Sequence, residues 1–241
     1  ARKGFYAWLA KQNADFVCLQ ETKAQRHQLT DPMFSPENYF VEYKDAVKKG
    51  YSGVALYSKF KPNKVVHEMN FPLADEEGRF LQFDFDDFSV ISIYLPSGTS
   101  GDARQALKYK FLHEFYERLK KMRQQKREYI ICGDWNIAHK QIDLKNWRSN
   151  QKNSGFLPQE RAWLDEVFDK VGYVDAFRVI NQEPEQYTWW SNRGQAWAKN
   201  VGWRIDYHVI TPGLKNKIKK VAIYKEQRFS DHAPLIIDYA F

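Results

Sequence analysis

The sequence predicts an α/β protein in which two β-sheets pack face to face and helices flank them, a four-layer α/β/β/α sandwich. Three observations lead to this fold class. Short apolar segments with strand character recur along the chain, a few amphipathic helical segments lie between them, and no linker, low-complexity tract or internal repeat divides the 241 residues. We therefore expect a single domain across residues 1–241.

The first half of the chain is predicted to contain one helix and six strands. Residues 4–12 are expected to form a helix, because Phe5, Trp8 and Leu9 recur at helical spacing. Strands are expected at residues 15–20, 39–43, 53–58, 64–68, 80–85 and 88–95. The turn at residues 48–53, which contains two glycines, joins the second of these strands to the third.

The second half is predicted to contain two helices and five strands. Residues 103–126 place apolar side chains on one helical face, namely Leu107, Phe111, Leu112, Phe115, Leu119 and Met122. A buried strand is expected at residues 128–132, followed by a helix at 159–171. Short strands are expected at residues 187–190, 204–210, 219–224 and 233–239.

The charge is positive and concentrated in one predicted helix. The net charge is +7, and residues 104–127 hold nine Lys and Arg against only Glu114 and Glu117. Such a charge favours a polyanionic partner, although a basic helix face is more often simply solvated. Aromatic residues make up 16% of the chain, and they could fill the core or provide stacking surfaces for bases and sugars.

Cysteine usage and hydropathy indicate the compartment. Cys18 and Cys132 both lie in short apolar segments, without a second Cys or a His at metal-binding spacing. We expect inert core thiols. The longest apolar stretches are too short to span a bilayer, and no basic-then-apolar signal segment begins the sequence. These features predict a soluble cytoplasmic protein with no membrane partner.

Acidic residues recur where predicted strands end and loops begin. They are Glu21, Asp134, Asp206 and Asp231, with Asn136 and His232 near two of them. A single acid at a strand end is usually an ordinary solvated residue. Four of them at the rim of predicted sheets, where loops build active sites, could together supply oxygen ligands to a hard divalent cation such as Mg²⁺. Zinc would favour Cys or several His at characteristic spacing instead.

Nine short motifs in one order resemble a known family. They are LQETK (19–23), GYSG (50–53), YLP (94–96), GDWN (133–136), IDLKN (142–146), NSGF (153–156), PQER (158–161), WRID (203–206) and SDH (230–232). The chain resembles the exonuclease III family of apurinic/apyrimidinic endonucleases, within the endonuclease/exonuclease/phosphatase superfamily. The motifs span nearly the whole sequence and are specific only in combination.

The resemblance implies a catalytic role for five residues. Tyr94 would hydrogen-bond the scissile phosphate. Asp134 would act as acid or base on the attacking water or the leaving oxygen, and Asn136 would contact the phosphate or the metal. Asp206 and His232 would form an oriented pair, in which the carboxylate keeps the imidazole charged and able to donate to the phosphate.

The resemblance also implies a metal and a DNA surface. Glu21 would ligate Mg²⁺, for which Mn²⁺ could substitute, and Asp231 would lie near the metal. The residues implied to contact DNA are Lys23, Tyr51, Arg79, Asn146, Trp190, Trp203 and Arg204, with Lys145 a further candidate for a phosphate contact. Trp203 and an aromatic residue of the 188–190 segment would line the pocket that takes the sugar of a damaged site.

The implied function is a Mg²⁺-dependent DNA-repair phosphodiesterase. It would act as a monomer on double-stranded DNA with an abasic site, a nick or a blocked 3′ end, as an AP endonuclease, a 3′–5′ exonuclease or a 3′-phosphatase. Two alternatives remain open at the sequence level. One is a phosphatase or phosphodiesterase of the same fold with another substrate, and the other is a catalytically reduced protein that binds damaged DNA.

Three features depart from the family pattern. The family has a strand before its first helix that bears an Asn near the metal and phosphate, whereas this sequence begins at that helix, so we expect either that the sequence is truncated or that the strand is absent. Ser97 stands where many members have Asn or Gln, which weakens one phosphate contact. Trp147 stands where many have Pro, and its bulk is expected to shift the preference among DNA substrates.

Overall fold

A computed structural model describes residues 3–241, and it divides into two compact units. Within the described residues, one unit runs to Tyr94 and includes Arg127–Gly133. The other comprises Leu95–Lys126 and Asp134–Phe241. Both units mix helices and strands, in agreement with the predicted class, and the single domain expected across residues 1–241 stays a prediction.

The described residues of the first unit contain two α-helices and seven strands. The helices are α1 (Phe5–Gln12) and α2 (Pro72–Glu76). The strands are β1 (Phe16–Gln20), β2 (Phe40–Lys44), β3 (Val54–Ser58), β4 (Lys64–Val66), β5 (Phe80–Asp84), β6 (Phe88–Tyr94) and β7 (Glu128–Asp134), the last of which ends one residue beyond the unit. Helix α1 and all seven strands were predicted, whereas α2 was not.

Two sheets of the first unit share a buried core. Strand β3 lies between β1 and β2 and pairs antiparallel with both. Strands β4, β5, β6 and β7 follow one another in the second sheet. Val54 and Leu56 of β3 pack with Leu81, Phe83 and Val90 from β5 and β6. These apolar side chains lie on the facing surfaces of the two sheets, as expected for a sandwich.

Two glycines fix the points where functional loops leave these sheets. A Cβ atom at Gly133 would lie 1.8 Å from the carbonyl oxygen of Ile93, so only glycine permits β7 to approach β6 this closely. Gly53 has a φ of 87°, and a Cβ there would lie 2.4 Å from Oγ1 of Thr22. The first glycine immediately precedes Asp134, and the second holds the loop that begins at Glu21.

The second unit contains four helices and six short strands. The helices are α3 (Asp102–Arg123), α4 (Trp147–Asn150), α5 (Pro158–Asp165) and α6 (Ala176–Ile180), and a π-helical turn at Glu166–Lys170 follows α5. The strands are β8 (Val174–Asp175), β9 (Trp189–Trp190), β10 (Gly202–Trp203), β11 (Asp206–Ile210), β12 (Ile218–Ile223) and β13 (Leu235–Tyr239). Pairs β11–β8, β9–β10 and β12–β13 are antiparallel.

An aromatic core supports the loops of the second unit. Trp135 is fully buried and packs against Phe115 of α3, Trp163 of α5 and Tyr207 of β11, with ring centroids 5.6–6.0 Å apart. The hydroxyl of Tyr207 donates to the carbonyl of Ile137 (2.8 Å). The packing of Trp135 and the hydrogen bond to Ile137 therefore fix the segment after Asp134, and this positions the side chains that follow β7.

The described residues contain no helix that is both long and apolar enough to cross a membrane.

Candidate active site

Asp134 and Asn136 form a hydrogen-bonded turn at the end of β7. The Asp134 carboxylate accepts from the backbone N–H of Asn136 (2.8 Å) and from its side-chain amide (3.0 Å). That amide also donates to the carbonyl of Leu95 (2.8 Å). Asn136 has a φ of 52°, in the left-handed region that Asn tolerates better than most residues. Since the side-chain amide already donates to Asp134 and to Leu95, the amide oxygen is the atom that Asn136 can offer to a ligand.

His232 is oriented by Asp206, the first residue of β11. Nδ1 of the imidazole lies 2.9 and 3.1 Å from the two carboxylate oxygens of Asp206. Nε2 therefore faces away from Asp206, and it lies 4.0 Å from Oδ2 of Asp134. The His232 side chain remains 25% exposed. The pairing predicted from the sequence is present, and it directs one ring nitrogen toward the Asp134–Asn136 turn.

Three carboxylates determine the protonation state of His232. Burial by itself would lower the pKa of this imidazole, but the charge of Asp206 and the hydrogen bond to it oppose that effect. Asp134 and then Asp231 add to the same effect, and together they raise the pKa of His232 to about 10. The imidazole is therefore a cation at neutral pH, with an N–H on each ring nitrogen.

Asp231 is anchored by a tryptophan of β9. Nε1 of Trp189 donates to Oδ2 of Asp231 (3.1 Å), and the backbone N–H of Trp190 donates to the Asp231 carbonyl (3.0 Å). Trp189 also forms an isolated β-bridge with His232. Strand β9 thus fixes the 231–232 segment beside β11, and Asp231 and His232 are placed by the same element.

A partly exposed aromatic surface lies next to this cluster. Trp189 and Trp203 are register partners in the β9–β10 pair, and their rings meet edge to face at 6.4 Å. Phe156 contacts the other side of Trp203 at 6.5 Å. Trp147 packs against the same apolar cluster, whose buried members include Phe156 and Leu144. These rings could form a wall for a flat or apolar ligand group.

In the first unit, Glu21 and Lys23 lie on a tightly turned loop after β1. Both have left-handed backbones, with φ of 56° and 51°. The loop is held by backbone hydrogen bonds from Thr22 to Gly53 (3.2 Å) and from Lys23 to Ser52 (2.8 Å). The Lys23 ammonium lies 3.0 Å from the Glu21 carboxylate, and about half of each side chain is exposed. Glu21 is thus a solvent-accessible carboxylate that already contacts a cation.

Tyr51, Arg79 and Tyr94 also converge within the first unit. The Arg79 guanidinium donates to the Tyr94 carbonyl (2.9 Å), to the Tyr51 hydroxyl (3.2 Å) and to the Glu77 carboxylate (2.6 Å). It also lies over the Tyr94 ring at 4.6 Å. Arg79 therefore holds two partly exposed tyrosines in fixed positions.

Sequence comparison assigns the family. Residues 1–232 match the profile of the Endonuclease/Exonuclease/phosphatase family. The chain belongs to this family. It is 38% identical over 232 residues to an exodeoxyribonuclease of Bacillus subtilis, covering 96% of this chain and 90% of that relative. It is 36% identical to a DNA-(apurinic or apyrimidinic site) endonuclease of Dictyostelium discoideum, covering 97% of this chain but only 65% of that relative.

A solved structure has a similar fold. The AP endonuclease from Archaeoglobus fulgidus matches with a TM-score of 0.87 at 25% identity, over 98% of this chain and 93% of that one. The family resemblance and the sandwich class predicted from the sequence are thereby confirmed. The individual roles of the site residues stay predictions.

Two arginines predicted to contact DNA, Arg79 and Arg204, are buried in the structure, and their predicted contact with DNA stays a prediction. Only 1% of Arg79 and 1% of Arg204 is exposed. Arg204 donates from Nε to Asp143 (2.8 Å) and from an amino group to Asp175 (2.7 Å). Each guanidinium donates hydrogen bonds to partners within its own unit, as expected of a buried polar group.

Trp190, the aromatic predicted to line the sugar pocket, is buried in the structure, and its contact with DNA stays a prediction. Trp190 is 1% exposed, packs on Trp197 at a centroid distance of 4.4 Å, and donates to the Asn200 side chain (3.0 Å). Trp189, its neighbour in β9, is the partly exposed one that meets Trp203. Successive residues of a strand face opposite sides, so only one of two adjacent tryptophans could line a pocket. Two adjacent tryptophans offer no pattern by which to choose between them.

Asn146 and Lys145 lie in the loop that precedes α4. Asn146 is exposed, and its backbone carbonyl accepts from Ser149 and Asn150 within the first turn of the helix. Lys145 forms an ion pair with Glu185. Asn146 is therefore accessible to solvent, whereas Lys145 is already paired, and the DNA contact predicted for each stays a prediction.

The donor atoms of the second unit suit a hard cation. Asp134 and Asp231 provide carboxylate oxygens, and Asn136 provides an amide oxygen. Across residues 3–241, no three His, Cys, Asp or Glu side chains gather closely enough to form a metal-binding group by themselves. The chemistry of these donors fits a divalent ion such as Mg²⁺ that retains several waters.

Proposed function

We propose that this protein is a metal-dependent DNA-repair phosphodiesterase that acts at abasic sites and at DNA 3′ ends. The observation that carries the proposal is the Asp206–His232 pair, whose free ring nitrogen faces the Asp134–Asn136 turn. A fixed cation beside a fixed carboxylate is suited to a substrate that is anionic and attacked by water. The relatives named as an exodeoxyribonuclease and an AP endonuclease support DNA as the substrate.

His232 stabilises the negative charge that develops on the phosphate. Because its pKa is raised to about 10, the imidazole carries the N–H on Nε2 throughout the neutral range. That N–H donates to a non-bridging phosphate oxygen as charge builds up during attack. Asp206 fixes the ring and does not itself need to gain or lose a proton.

In the proposed reaction, Asp134 accepts the proton of the attacking water. The two Asn136 hydrogen bonds hold its carboxylate, and the cationic His232 lies 4.0 Å away. Water gives its proton to Asp134 while its oxygen bonds to phosphorus, and the sugar oxygen departs with the electron pair of the broken P–O bond. The Asn136 amide oxygen accepts from this water or binds the metal.

Other residues have proposed roles in binding the substrate. Tyr94 would donate its phenolic hydroxyl to the scissile phosphate. Trp189 and Trp203 would form the wall against which the sugar of an abasic nucleotide packs, since such a nucleotide has lost its pairing and is cheaper to extrude. Lys23 and Asn146 would contact the DNA backbone.

Glu21 is the proposed metal ligand, with Asp231 near the metal. When bound, the ion neutralises part of the charge on the phosphate oxygens. We propose Mg²⁺ as the physiological ion, with Mn²⁺ as a substitute, because the available donors are all oxygen atoms.

The proposal is tested by incubating the protein with three labelled duplexes that contain an abasic site, a nick or a 3′-phosphate. We expect incision or 3′ processing with Mg²⁺ or Mn²⁺ and none with chelator. His232→Ala should reduce kcat by about 100-fold or more, because it removes the charged donor used in the transition state. The extent of folding by circular dichroism should not change.

Absence of cleavage of every duplex with both metals, despite tight binding of abasic DNA, would indicate a damage-binding protein. Cleavage of a non-nucleic-acid phosphodiester in preference to all three duplexes would indicate another substrate class. Either result would overturn the proposal.

A further inference from the structure

A lysine of the basic helix lies buried behind the Asp134–Asn136 turn. Lys108 belongs to α3, yet its side chain is 0% exposed. Its ammonium lies 2.6 Å from Oε1 of Glu160, which is also 0% exposed, and donates to the backbone carbonyl of Asn136 (2.8 Å). Neither residue takes part in the chemistry described above, but Lys108 directly contacts the main chain of the Asp134–Asn136 turn, here called the catalytic turn.

Glu160 extends this contact to a second loop. Its Oε2 accepts from the backbone N–H groups of Gly155 (2.7 Å) and Leu157 (3.1 Å). The carbonyl of Gly155 in turn accepts from the backbone N–H of Ala138 (2.8 Å). One buried carboxylate therefore fixes the start of α5, the loop before it and the lysine that holds the catalytic turn.

A buried ion pair is an inefficient way to stabilise a fold. Burial lowers the pKa of Lys108, and the charges of Glu160 and then Asp134 act against that decrease. Replacing such a pair with apolar residues of similar volume is often neutral or even stabilising. We therefore look for the role of Lys108 in the interactions of its ammonium. It donates to the Asn136 carbonyl, and its charge interacts with the carboxylate of Asp134.

We propose that Lys108 is a positioning residue for phosphodiester hydrolysis, which fixes the main chain at Asn136 and thereby aims the Asp134 carboxylate and the Asn136 amide oxygen at the substrate. Glu160 holds the Lys108 ammonium in place. This inference rests on the proposed function. A misplacement of about 1 Å in such a turn can cost on the order of 100-fold in rate.

A charge-neutral double variant separates positioning from simple support of the fold. Lys108→Met alone leaves Glu160 buried and unpaired, so it should unfold at lower urea concentration. Lys108→Met combined with Glu160→Gln removes both charges, while the side-chain carbonyl of the introduced glutamine can still accept from the backbone of Gly155 and Leu157. The urea midpoint of the double variant should return close to that of the unaltered protein.

We expect the double variant to remain catalytically impaired. On an abasic duplex with Mg²⁺, its kcat should fall by about 10- to 100-fold while KM stays within about threefold, because substrate contacts are intact and only the aim of the turn is lost. Lys110→Met, on the exposed side of the same helix, removes an equal charge and should leave kcat unchanged.

Amide hydrogen exchange gives a readout that does not depend on activity. The Asn136 backbone N–H, which donates to Asp134, should exchange faster in the double variant than in Lys110→Met. A stable double variant with normal kcat, or with unchanged exchange at Asn136, would overturn the positioning role. If the unaltered protein cleaves no DNA but exchange at Asn136 still rises, the proposed function fails while the positioning of the turn stands.

Discussion

The charge of His232 at neutral pH is set by the neighbouring carboxylates. An isolated imidazole is mostly neutral at pH 7. Asp206 binds Nδ1, Asp134 lies near Nε2, and the three surrounding carboxylates keep the ring charged in spite of burial. The same residue can thus be a fixed cation in this site and an ordinary loop histidine elsewhere.

The first residue-scale prediction concerns Asp206→Asn. The pKa of His232 is raised to about 10, so the charged form that activity needs persists through neutral pH and is lost only as pH rises through that value. Without the Asp206 charge, burial should dominate and lower the pKa of His232. The alkaline limit of kcat/KM on an abasic duplex should therefore move down by about one pH unit or more.

Asp238→Asn provides the matched control, because Asp238 is an exposed carboxylate on β13 and its loss changes the total charge equally. Its pH profile should superimpose on that of the unaltered protein. An Asp206→Asn profile with the original alkaline limit would show that His232 does not depend on Asp206 for its charge.

At the scale of elements, a buried cluster of charged side chains connects several segments of the second unit to one another. Asp143 accepts from Arg204 (2.8 Å) and from Arg178 of α6 (2.7 Å), and Arg204 also donates to Asp175 of β8. Arg204 immediately precedes the Ile205–Asp206 segment that leads into β11. The cluster therefore ties the 140–146 loop, β8 and α6 to the strand that presents Asp206.

The cluster predicts a specific loss of stability in acid. Burial would raise the pKa of Asp143, but Arg204 and Arg178 lower it from 3.8 to about 2. A depressed folded-state pKa contributes stability above the unfolded value, here about 2 kcal/mol, and that contribution is lost as pH falls from about 4 toward 2. Asp143→Asn should lower the free energy of unfolding at pH 7 by about 3 kcal/mol or more, since it leaves Arg204 partly unpaired.

Urea unfolding at pH 7, 5, 4 and 3 tests this. The difference between Asp143→Asn and the unaltered protein should shrink below pH 4, whereas Asp169→Asn, at an exposed position, should show no difference at any pH. If the difference in free energy of unfolding stayed constant from pH 7 to pH 3, Asp143 would stabilise the fold through its packing and not through its charge.

Sequence patterns found the long elements and missed those set by tertiary contacts. The predicted strand at 53–58 corresponds to β3, and the predicted helix at 103–126 corresponds to α3. Strands β8 and β10 contain two residues each, which is too few to show a period. The helix expected at 159–171 is present but changes to a π-helical turn at Glu166, a local distortion that periodicity does not reveal.

The same division holds for the site. Asp134, Asp206 and Asp231 could be proposed from the sequence because acids at the ends of apolar segments stand out, and His232 because it follows Asp231; the structure brings Asp134, Asp206 and His232 close together. The burial of Lys108 and Arg204 was missed, because a basic residue within an amphipathic or motif segment is read as solvent-facing. Its true environment depends on partners such as Glu160 or Asp143, which are distant in sequence and become neighbours only through folding.

At the scale of the whole molecule, the net charge of +7 overstates the surface available to DNA. Of the nine basic residues at 104–127, Lys108 is buried. Arg123 donates to the Val171 carbonyl (3.4 Å), and Arg127 donates to Ser89 (2.7 Å) and to the Asp86 carbonyl (2.9 Å). Basic residues that satisfy internal partners contribute to packing, so the charge sum alone does not locate a nucleic-acid surface.

The last prediction compares a loop lysine with the exposed end of α3. Lys23 lies on the loop that carries Glu21, whereas Lys120 and Lys121 are exposed near the end of α3, with Lys120 paired to Glu117. Neutralising one direct phosphate contact should reduce the slope of log K against log salt by about 0.9. We expect Lys23→Ala to change the slope for abasic duplex by about this amount and the double variant Lys120→Ala/Lys121→Ala to change it less, as measured by fluorescence anisotropy in chelator. Lys11→Ala, at an exposed position of α1, should leave the slope unchanged.

A larger effect of the double variant Lys120→Ala/Lys121→Ala would place the DNA along α3, and the assignment of Lys23 as a phosphate contact would then be wrong.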